Sequence, residues 1–372
     1  MSGPVVLTGG GTGGHIFPMQ AIAEALREAG VDDADMRYVG SRRGQEAALL
    51  GEGPIELTLL PGRGIRRSLA PRAIVDNLAA LVALGGALYR AFILTRRWRP
   101  RVVVSVGGYA AAAMSTAAVL TRRPLVLVDL DATPSATHRL LSRFATRRCV
   151  ALGTPNAHVV VTGAPVRHDV AEIDRSPDAR TRAKASLEPP IDAERRVVVV
   201  MTGSLGATRV NRAVVQLAQL WSDRRDVALI HITGRRDYEM VKAQVPELKG
   251  LDYRVEAFAE MSTWWAVADL AICRAGATTI AELTTLSLPA ILVPLPHAPG
   301  DHQYHNAHAL SAAGAAIVVP DSSCNGEVLA RQCQAVLAPG VLPEMARSSS
   351  LLAKPDAASA IAHVVVSVGE SS

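Results

Sequence analysis

The sequence predicts an α/β protein made of two Rossmann-like domains facing each other across a cleft. Three observations predict it. Short runs of valine, leucine and isoleucine alternate with helical patterns along the 372 residues, the mark of parallel α/β architecture. These runs are almost continuously apolar, which suits sheets covered on both faces. A strand passing through a glycine-rich turn into a helix also opens twice, at Val5 and again at Val197.

Taken in order, the first half is expected to place strands near Val5–Thr8, Met36–Val39, Arg101–Val106, Leu125–Asp129, Arg148–Ala151 and His158–Thr162, with a helical pattern from Ala21 to Ala29. After Gly163-Ala164-Pro165-Val166-Arg167 the composition changes. Asp174 to Arg196 is charged, bears prolines and reads as linker plus a helix. The second half is expected to hold strands near Val197–Met201, Val227–Ile232, Tyr253–Glu256, Leu270–Cys273, Ala290–Val293 and Ala316–Val319, with a helix at Arg212–Trp221. The expected domains are 1–165, a linker over 166–196, 197–350, and a C-terminal helix over 351–372 that packs back on the first domain.

Composition narrows the function classes. The chain is 49% hydrophobic and 20% charged, a folded class rather than a disordered one. Its net charge of +5 suits anionic partners. At 4% aromatic content, with no basic–aromatic interleaving, nucleic acid is not the expected partner. Cys149, Cys273, Cys324 and Cys333 are widely spaced without a CxxC pair, which argues against a disulfide framework or zinc site and for a reducing compartment. No basic segment precedes an apolar stretch at the N-terminus, and the uncharged run Asn77 to Tyr89 is too short to cross a bilayer. A cytoplasmic location is expected.

The chemistry is expected in glycine loops. Gly9-Gly10-Gly11-Thr12-Gly13-Gly14-His15 ends at a helix N-terminus, whose N–H groups and positive dipole end seat phosphate or developing negative charge. His15 stands at that seat with a side chain suited to moving a proton near neutrality. The spacing Gly9-x-Gly11-x-x-Gly14 is formally a dinucleotide fingerprint, yet the second strand ends Val39-Gly40-Ser41-Arg42-Arg43 without the acid that would hold a ribose. A second cluster, Cys273-Arg274-Ala275-Gly276-Ala277-Thr278-Thr279-Ile280-Ala281-Glu282, offers N–H groups and the Thr279 hydroxyl to a diphosphate, and the Glu282 carboxylate to a pair of ribose hydroxyls. The competing reading is a capping box of Thr279 and Glu282. The third, Pro294 to His308, holds four histidines without a clear metal-binding pattern, and Gln303 and Asn306 suit sugar hydroxyls.

These motifs recur in a telling order. Gly10-Gly11-Thr12-Gly13-Gly14-His15, Gly107-Gly108-Tyr109, and Gly163-Ala164-Pro165-Val166-Arg167 come first. Gly203-Ser204-Leu205-Gly206-Ala207 with Asn211, Cys273 to Ala277 with Thr279 and Glu282, and Asp301-His302-Gln303 with Asn306 complete the set. Together, over nearly the whole chain, they resemble the MurG family of peptidoglycan N-acetylglucosaminyltransferases. The resemblance implies a GT-B architecture and inverting transfer of N-acetylglucosamine from UDP-N-acetylglucosamine to the 4-hydroxyl of the muramoyl sugar of lipid I, forming lipid II without a cofactor or metal. It implies His15 as general base. It implies a donor site of Thr12, Gly13, Gly14, Arg167, Ser204, Ala277, Thr279, Glu282 and Gln303. Gly11, Gly107, Gly108, Tyr109, Asp129 and Asp131 would lie on the acceptor side, with Asn211 and Asn306 as further site residues.

The chain departs from the family where a His-Glu-x-Asn segment is usual and Val128-Asp129-Leu130-Asp131 stands instead, and where Leu205 replaces a glutamine in the donor loop. A GT-B transferase with a different acceptor, a UDP-sugar 2-epimerase of similar fold, a non-catalytic binding protein and, more distantly, an NADP-dependent oxidoreductase remain alternatives. A lipid acceptor requires contact with a bilayer. Arg63, Arg66, Arg67 and Arg72 precede an apolar helix carrying Ile74, Leu78, Leu81, Gly85, Leu88 and Phe92, with Val75, Val82, Tyr89 and Ile93 on a second apolar face, and Arg90, Arg96, Arg97 and Arg99 follow. The expectation is one side packed and part of the other on an anionic membrane surface at the cytoplasmic face of the plasma membrane.

Overall fold

The computed structural model describes residues 3–11, 13–42, 44–61, 71–203 and 206–371, with backbone alone for 71–82. The chain divides into two compact units, Met1–Arg167 with Pro355–Ser372, and His168–Lys354. Each is a wholly parallel sheet covered by helices.

In the first unit the strands are β1 (Val5–Gly9), β2 (Met36–Ser41), β3 (Glu56–Leu60), β4 (Val102–Gly107), β5 (Leu125–Asp129), β6 (Arg147–Val150) and β7 (Val159–Val161). Their order is β3-β2-β1-β4-β5-β6-β7. Val5–Leu7, Val102–Val104 and Leu125–Val128 are fully buried, as strands sandwiched between helix layers must be. The register of β1 against β4 shifts between Thr8 and Gly9, bringing Gly9 opposite Gly107. Strand β3 is an addition to the expected six. It pairs with β2 alone at the sheet edge and its first residue, Glu56, is exposed, so it lacks the continuous apolar signal of the inner strands.

The helix Gly13–Glu28 starts inside the glycine loop, eight residues before the periodic pattern of Ala21 to Ala29. The helix Pro71–Trp98 turns Ala87, Ala91 and Thr95 inward against the alanine-rich helix Tyr109–Leu120. Small side chains at that seam let the two backbones approach closely. The last helix, Ala357–Glu370, packs on Gly13–Glu28 within this unit.

The second unit holds β8 (Arg196–Met201), β9 (Val227–Ile232), β10 (Asp252–Glu256), β11 (Leu270–Cys273), β12 (Ala290–Leu292) and β13 (Ala316–Val318), in the order β10-β9-β8-β11-β12-β13. The helix Thr208–Leu220 buries Val210, Ala213, Val214, Leu217 and Ala218, a single stripe at i, i+3, i+4, i+7 and i+8. The stretch read from sequence as a linker is fastened to this unit from His168 onward. Arg175 donates to the carbonyls of Trp265 and Ala268, Arg180 pairs with Asp269 at 2.8 Å, and Lys184 Nζ donates to the carbonyls of Ala193 and Arg195 at 2.9 and 2.7 Å. All four cysteines are buried thiols, none paired.

Candidate active site

Each sheet reverses its winding once, between β1 and β4 in the first unit and between β8 and β11 in the second. Ligands of open parallel sheets bind beyond the carboxyl ends of strands at such switch points. The glycine loops lie there in both units.

In the first unit the loops after β1 and β4 are built against each other. Gly10, Gly11, Gly107 and Gly108 all have positive φ, at 140°, 97°, 113° and 94°. A methyl on Gly108 would overlap the Gly10 carbonyl oxygen, and one on Gly107 would come 3.0 Å from Cδ2 and Nε2 of His15. The imidazole of His15 is therefore stacked on bare backbone. Tyr109 opens the helix behind Gly108, and its hydroxyl is buried without a hydrogen-bond partner; burial pushes its ionisation upward. Arg167 places its guanidinium 5.2 Å from the centre of the Phe17 ring, and that ring lies close against Gly13. Thr12 lies outside the described residues.

Asp129 is the last residue of β5, and Asp131 stands just after it. Asp129 is buried and its carboxylate is turned inward: Oδ1 accepts from His138 Nδ1 at 2.7 Å and Oδ2 from Arg148 Nη2 at 2.8 Å. His138 Nε2 meets the Ser105 hydroxyl at 2.9 Å. Burial alone would raise the Asp129 carboxyl; the bonds and charges of His138 and Arg148 outweigh it and hold it below the ordinary range. Asp129 thus ties the end of β5 to β6 through Arg148 and to β4 through His138 and Ser105, and with both oxygens engaged it does not offer the open carboxylate of a metal-binding Asp-x-Asp. Sequence reasoning passed over His138 because a histidine nine residues on carries no signal of pairing. Asp131 is half-buried in the same loop.

In the second unit the loop after β8 is held from below. Gly206 and Gly234 have φ of 74° and 77°. A methyl on Gly206 would stand 2.8 Å from the Thr233 carbonyl, and one on Gly234 would be 2.6 Å from the Gly203 carbonyl. Asn211 is the pin beneath them. Its Nδ2 donates to the Thr233 carbonyl and to Asp237 Oδ2, both at 3.0 Å, so its Oδ1 must accept from His231 Nε2 at 2.9 Å. That leaves His231 Nδ1 to accept from the Tyr253 hydroxyl at 2.8 Å. Burial pushes His231 down to about 3, consistent with this neutral tautomer. Asn211, expected as a site residue, is thus fully enclosed and acts through the loop. Ser204 lies outside the described residues.

The loop after β11 leads into the helix Ala277–Thr285, whose N-cap is Gly276. Thr279 is therefore inside the first turn, and the capping box with Glu282 does not form. Glu282 is instead buried, with Oε2 accepting the indole N–H of Trp265 at 3.0 Å. Trp265 had no signal in sequence beyond its size. Ala277 and Thr279 are half-buried at the helix start. Gln303 Oε1 accepts from the N–H groups of Ala275 and Leu295 at 3.2 and 2.9 Å, leaving its amide NH2 as a donor. Asn306, also expected to meet sugar, is buried and donates to the Ala275 carbonyl at 3.0 Å. It therefore supports the loop that Gln303 lines. Among the described residues, no three His, Cys, Asp or Glu gather as metal ligands.

Comparison with known proteins agrees with this layout. Residues 5–150 match the glycosyltransferase family 28 N-terminal domain and residues 197–361 the glycosyltransferase family 28 C-terminal domain. The chain is 40% identical over 368 residues to the UDP-N-acetylglucosamine–N-acetylmuramyl-(pentapeptide) pyrophosphoryl-undecaprenol N-acetylglucosamine transferase of Alkalilimnicola ehrlichii, covering 98% of each. It is similar to the crystal structure of Acinetobacter baumannii MurG, with a TM-score of 0.74 and 26% identity over 98% of this chain and 99% of that one. A putative UDP-N-acetylglucosamine 2-epimerase from Listeria monocytogenes shares the fold at a TM-score of 0.65, with 13% identity over 100% of this chain and 98% of that one.

Proposed function

The chain belongs to the MurG family within glycosyltransferase family 28, and from that membership we propose that it forms lipid II by moving N-acetylglucosamine from UDP-N-acetylglucosamine to the 4-hydroxyl of the muramoyl sugar of lipid I. The observation that carries the proposal is the 40% identity over 98% of the chain, which spans both sets of glycine loops. In the proposed step the acceptor hydroxyl attacks the anomeric carbon. A new C–O bond forms as the bond to the UDP diphosphate oxygen breaks, the hydroxyl proton passes to His15, and UDP departs with the electron pair. Configuration at the anomeric carbon inverts.

Glu282 is the proposed acceptor of the ribose hydroxyl hydrogen bonds, oriented by Trp265. Thr279 and Ser204 are assigned to the nucleotide diphosphate, whose negative charge grows as the sugar leaves, with Ala277 and Arg167 assigned to the donor nucleotide. The free amide NH2 of Gln303 suits a sugar hydroxyl. Thr12, Gly13 and Gly14 are assigned to the donor, and Gly11, Gly107, Gly108, Tyr109 and Asp131 to the acceptor side. No step needs a divalent cation.

The acceptor is a lipid, and the first unit carries a face suited to one. Tyr89 is 69% and Ile93 45% exposed on the helix Pro71–Trp98. Arg90, Arg96 and Arg97 are exposed on the same helix. Apolar side chains ringed by arginine suit an anionic bilayer surface, here the cytoplasmic leaflet. Arg63, Arg66 and Arg67 lie outside the described residues, and Arg72 is described in backbone only.

Product analysis with and without acceptor tests the proposal. With UDP-N-acetylglucosamine alone the sugar nucleotide should persist unchanged; adding a short-chain lipid I analogue should yield UDP and the disaccharide. A UDP-sugar epimer formed without acceptor would favour the epimerase reading and overturn this one.

A further inference from the structure

A carboxylate lies inside the first glycine loop. Glu46, the first residue of the short helix Glu46–Leu50, is 0% exposed. Fully buried acids are rare unless paired, and no Lys, Arg or His among the described residues pairs with this one. Its Oε1 accepts from the N–H groups of Gly11 at 3.0 Å and Ser41 at 2.8 Å, while Oε2 is buried without a partner. Three glycines make the space. A methyl on Gly10 or Gly44 would overlap a carboxylate oxygen, and one on Gly40 would come within 2.7 Å of Cγ. The loop after β1 and the loop after β2 are thus closed around one side chain.

We infer that Glu46 is a positioning residue for the transfer: by taking the Gly11 N–H it fixes the glycine loop that carries His15. The identity of the reaction rests on the function proposed above, but the clamp itself rests on geometry alone. Gly11 holds a φ of 97° that an unrestrained glycine can leave at little cost. Gly10 is pressed against Gly108, and Gly107 against the His15 ring. A displacement at Gly11 is therefore passed to the two backbone contacts that orient the base. The contact also commits one N–H of a phosphate-binding loop to the protein, so the acceptor diphosphate must be met by the others.

Two readouts test it. In steady-state transfer, Glu46→Ala should lower kcat roughly 10–100-fold, the scale of a small misplacement of a reacting group, with UDP binding to the second unit unchanged. Glu46→Gln keeps an oxygen for Gly11 and Ser41 and should recover kcat to within about threefold, while Glu46→Asp, one methylene shorter, should remain slow. Amide hydrogen exchange over residues 9–14 should accelerate in the Ala and Asp variants and stay near wild type in the Gln variant. Wild-type kcat in Glu46→Ala, or equal losses in the Gln and Asp variants, would overturn the inference. If Glu46→Ala does not fold, the Gln and Asp pair decides alone. A wild-type protein without transfer activity would defeat the function proposed above; the exchange pattern would still decide for or against the clamp.

Discussion

His15 and Gly107 show how much of the site is decided at single residues. The imidazole lies on a glycine whose φ of 113° and lack of Cβ are both required. Gly107→Ala should therefore cost turnover, by roughly tenfold or more, while UDP binding holds; equal kcat in the two proteins would show that the ring does not need this seat. His15→Ala should lower turnover by roughly 10²–10⁴-fold, the usual range for a lost general base, again with UDP binding intact. His231 gives a pH prediction with a definite sign. Its neutral form is required inside, so its pKa is about 3 folded against 6.5 unfolded. The unfolded chain takes up the proton first, and stability should fall as pH drops from about 6.5 toward 3, by up to about 1.4 kcal/mol per pH unit. Urea midpoints at successive pH values check it. His231→Asn should be less stable at pH 7 and lose that slope, and an unchanged slope would contradict the assignment.

At the scale of elements, the proposed donor chemistry falls at helix starts. The helix Ala277–Thr285 is capped by Gly276 and leaves Thr279 and Glu282 to other tasks. Trp265, on the helix Met261–Val267, turns the Glu282 carboxylate by one hydrogen bond. Trp265→Phe keeps the ring in the core and removes the N–H. It should raise the UDP-sugar KM several-fold with kcat little changed, since the lost contact acts on ground-state and transition-state binding alike. A fall in kcat at constant KM would assign Glu282 elsewhere. The helix Pro71–Trp98 divides its labour by face, with Ala87, Ala91 and Thr95 inside and Tyr89 and Ile93 outside. Replacing Tyr89 and Ile93 by glutamate should weaken binding to anionic vesicles without altering UDP affinity; unchanged vesicle binding would remove this face from membrane contact. The inner strands were readable because burial on both faces writes an unbroken apolar run, whereas the edge strand β3, half exposed, writes none.

Across the whole molecule, glycine-rich turns after buried strands announced both switch points, since positive φ and close backbone approach demand glycine there. What sequence could not supply was the set of side chains arriving from elsewhere. Glu46, His138 and Trp265 each come from a different element, and only folding brings them to Gly11, Asp129 and Glu282 in their own units. For the same reason Asn211 and Asn306 were legible as important residues but not as supports enclosed beneath their loops. The central claim is that one chain joins a UDP sugar to a lipid-linked muramoyl acceptor using its own base. The most direct measurement is transfer of labelled N-acetylglucosamine to a short-chain lipid I analogue in EDTA, by wild type and His15→Ala in parallel. The account predicts metal-independent transfer by the wild type and a loss of at least about 100-fold in the variant. UDP binding without transfer, or equal transfer by both proteins, would contradict it.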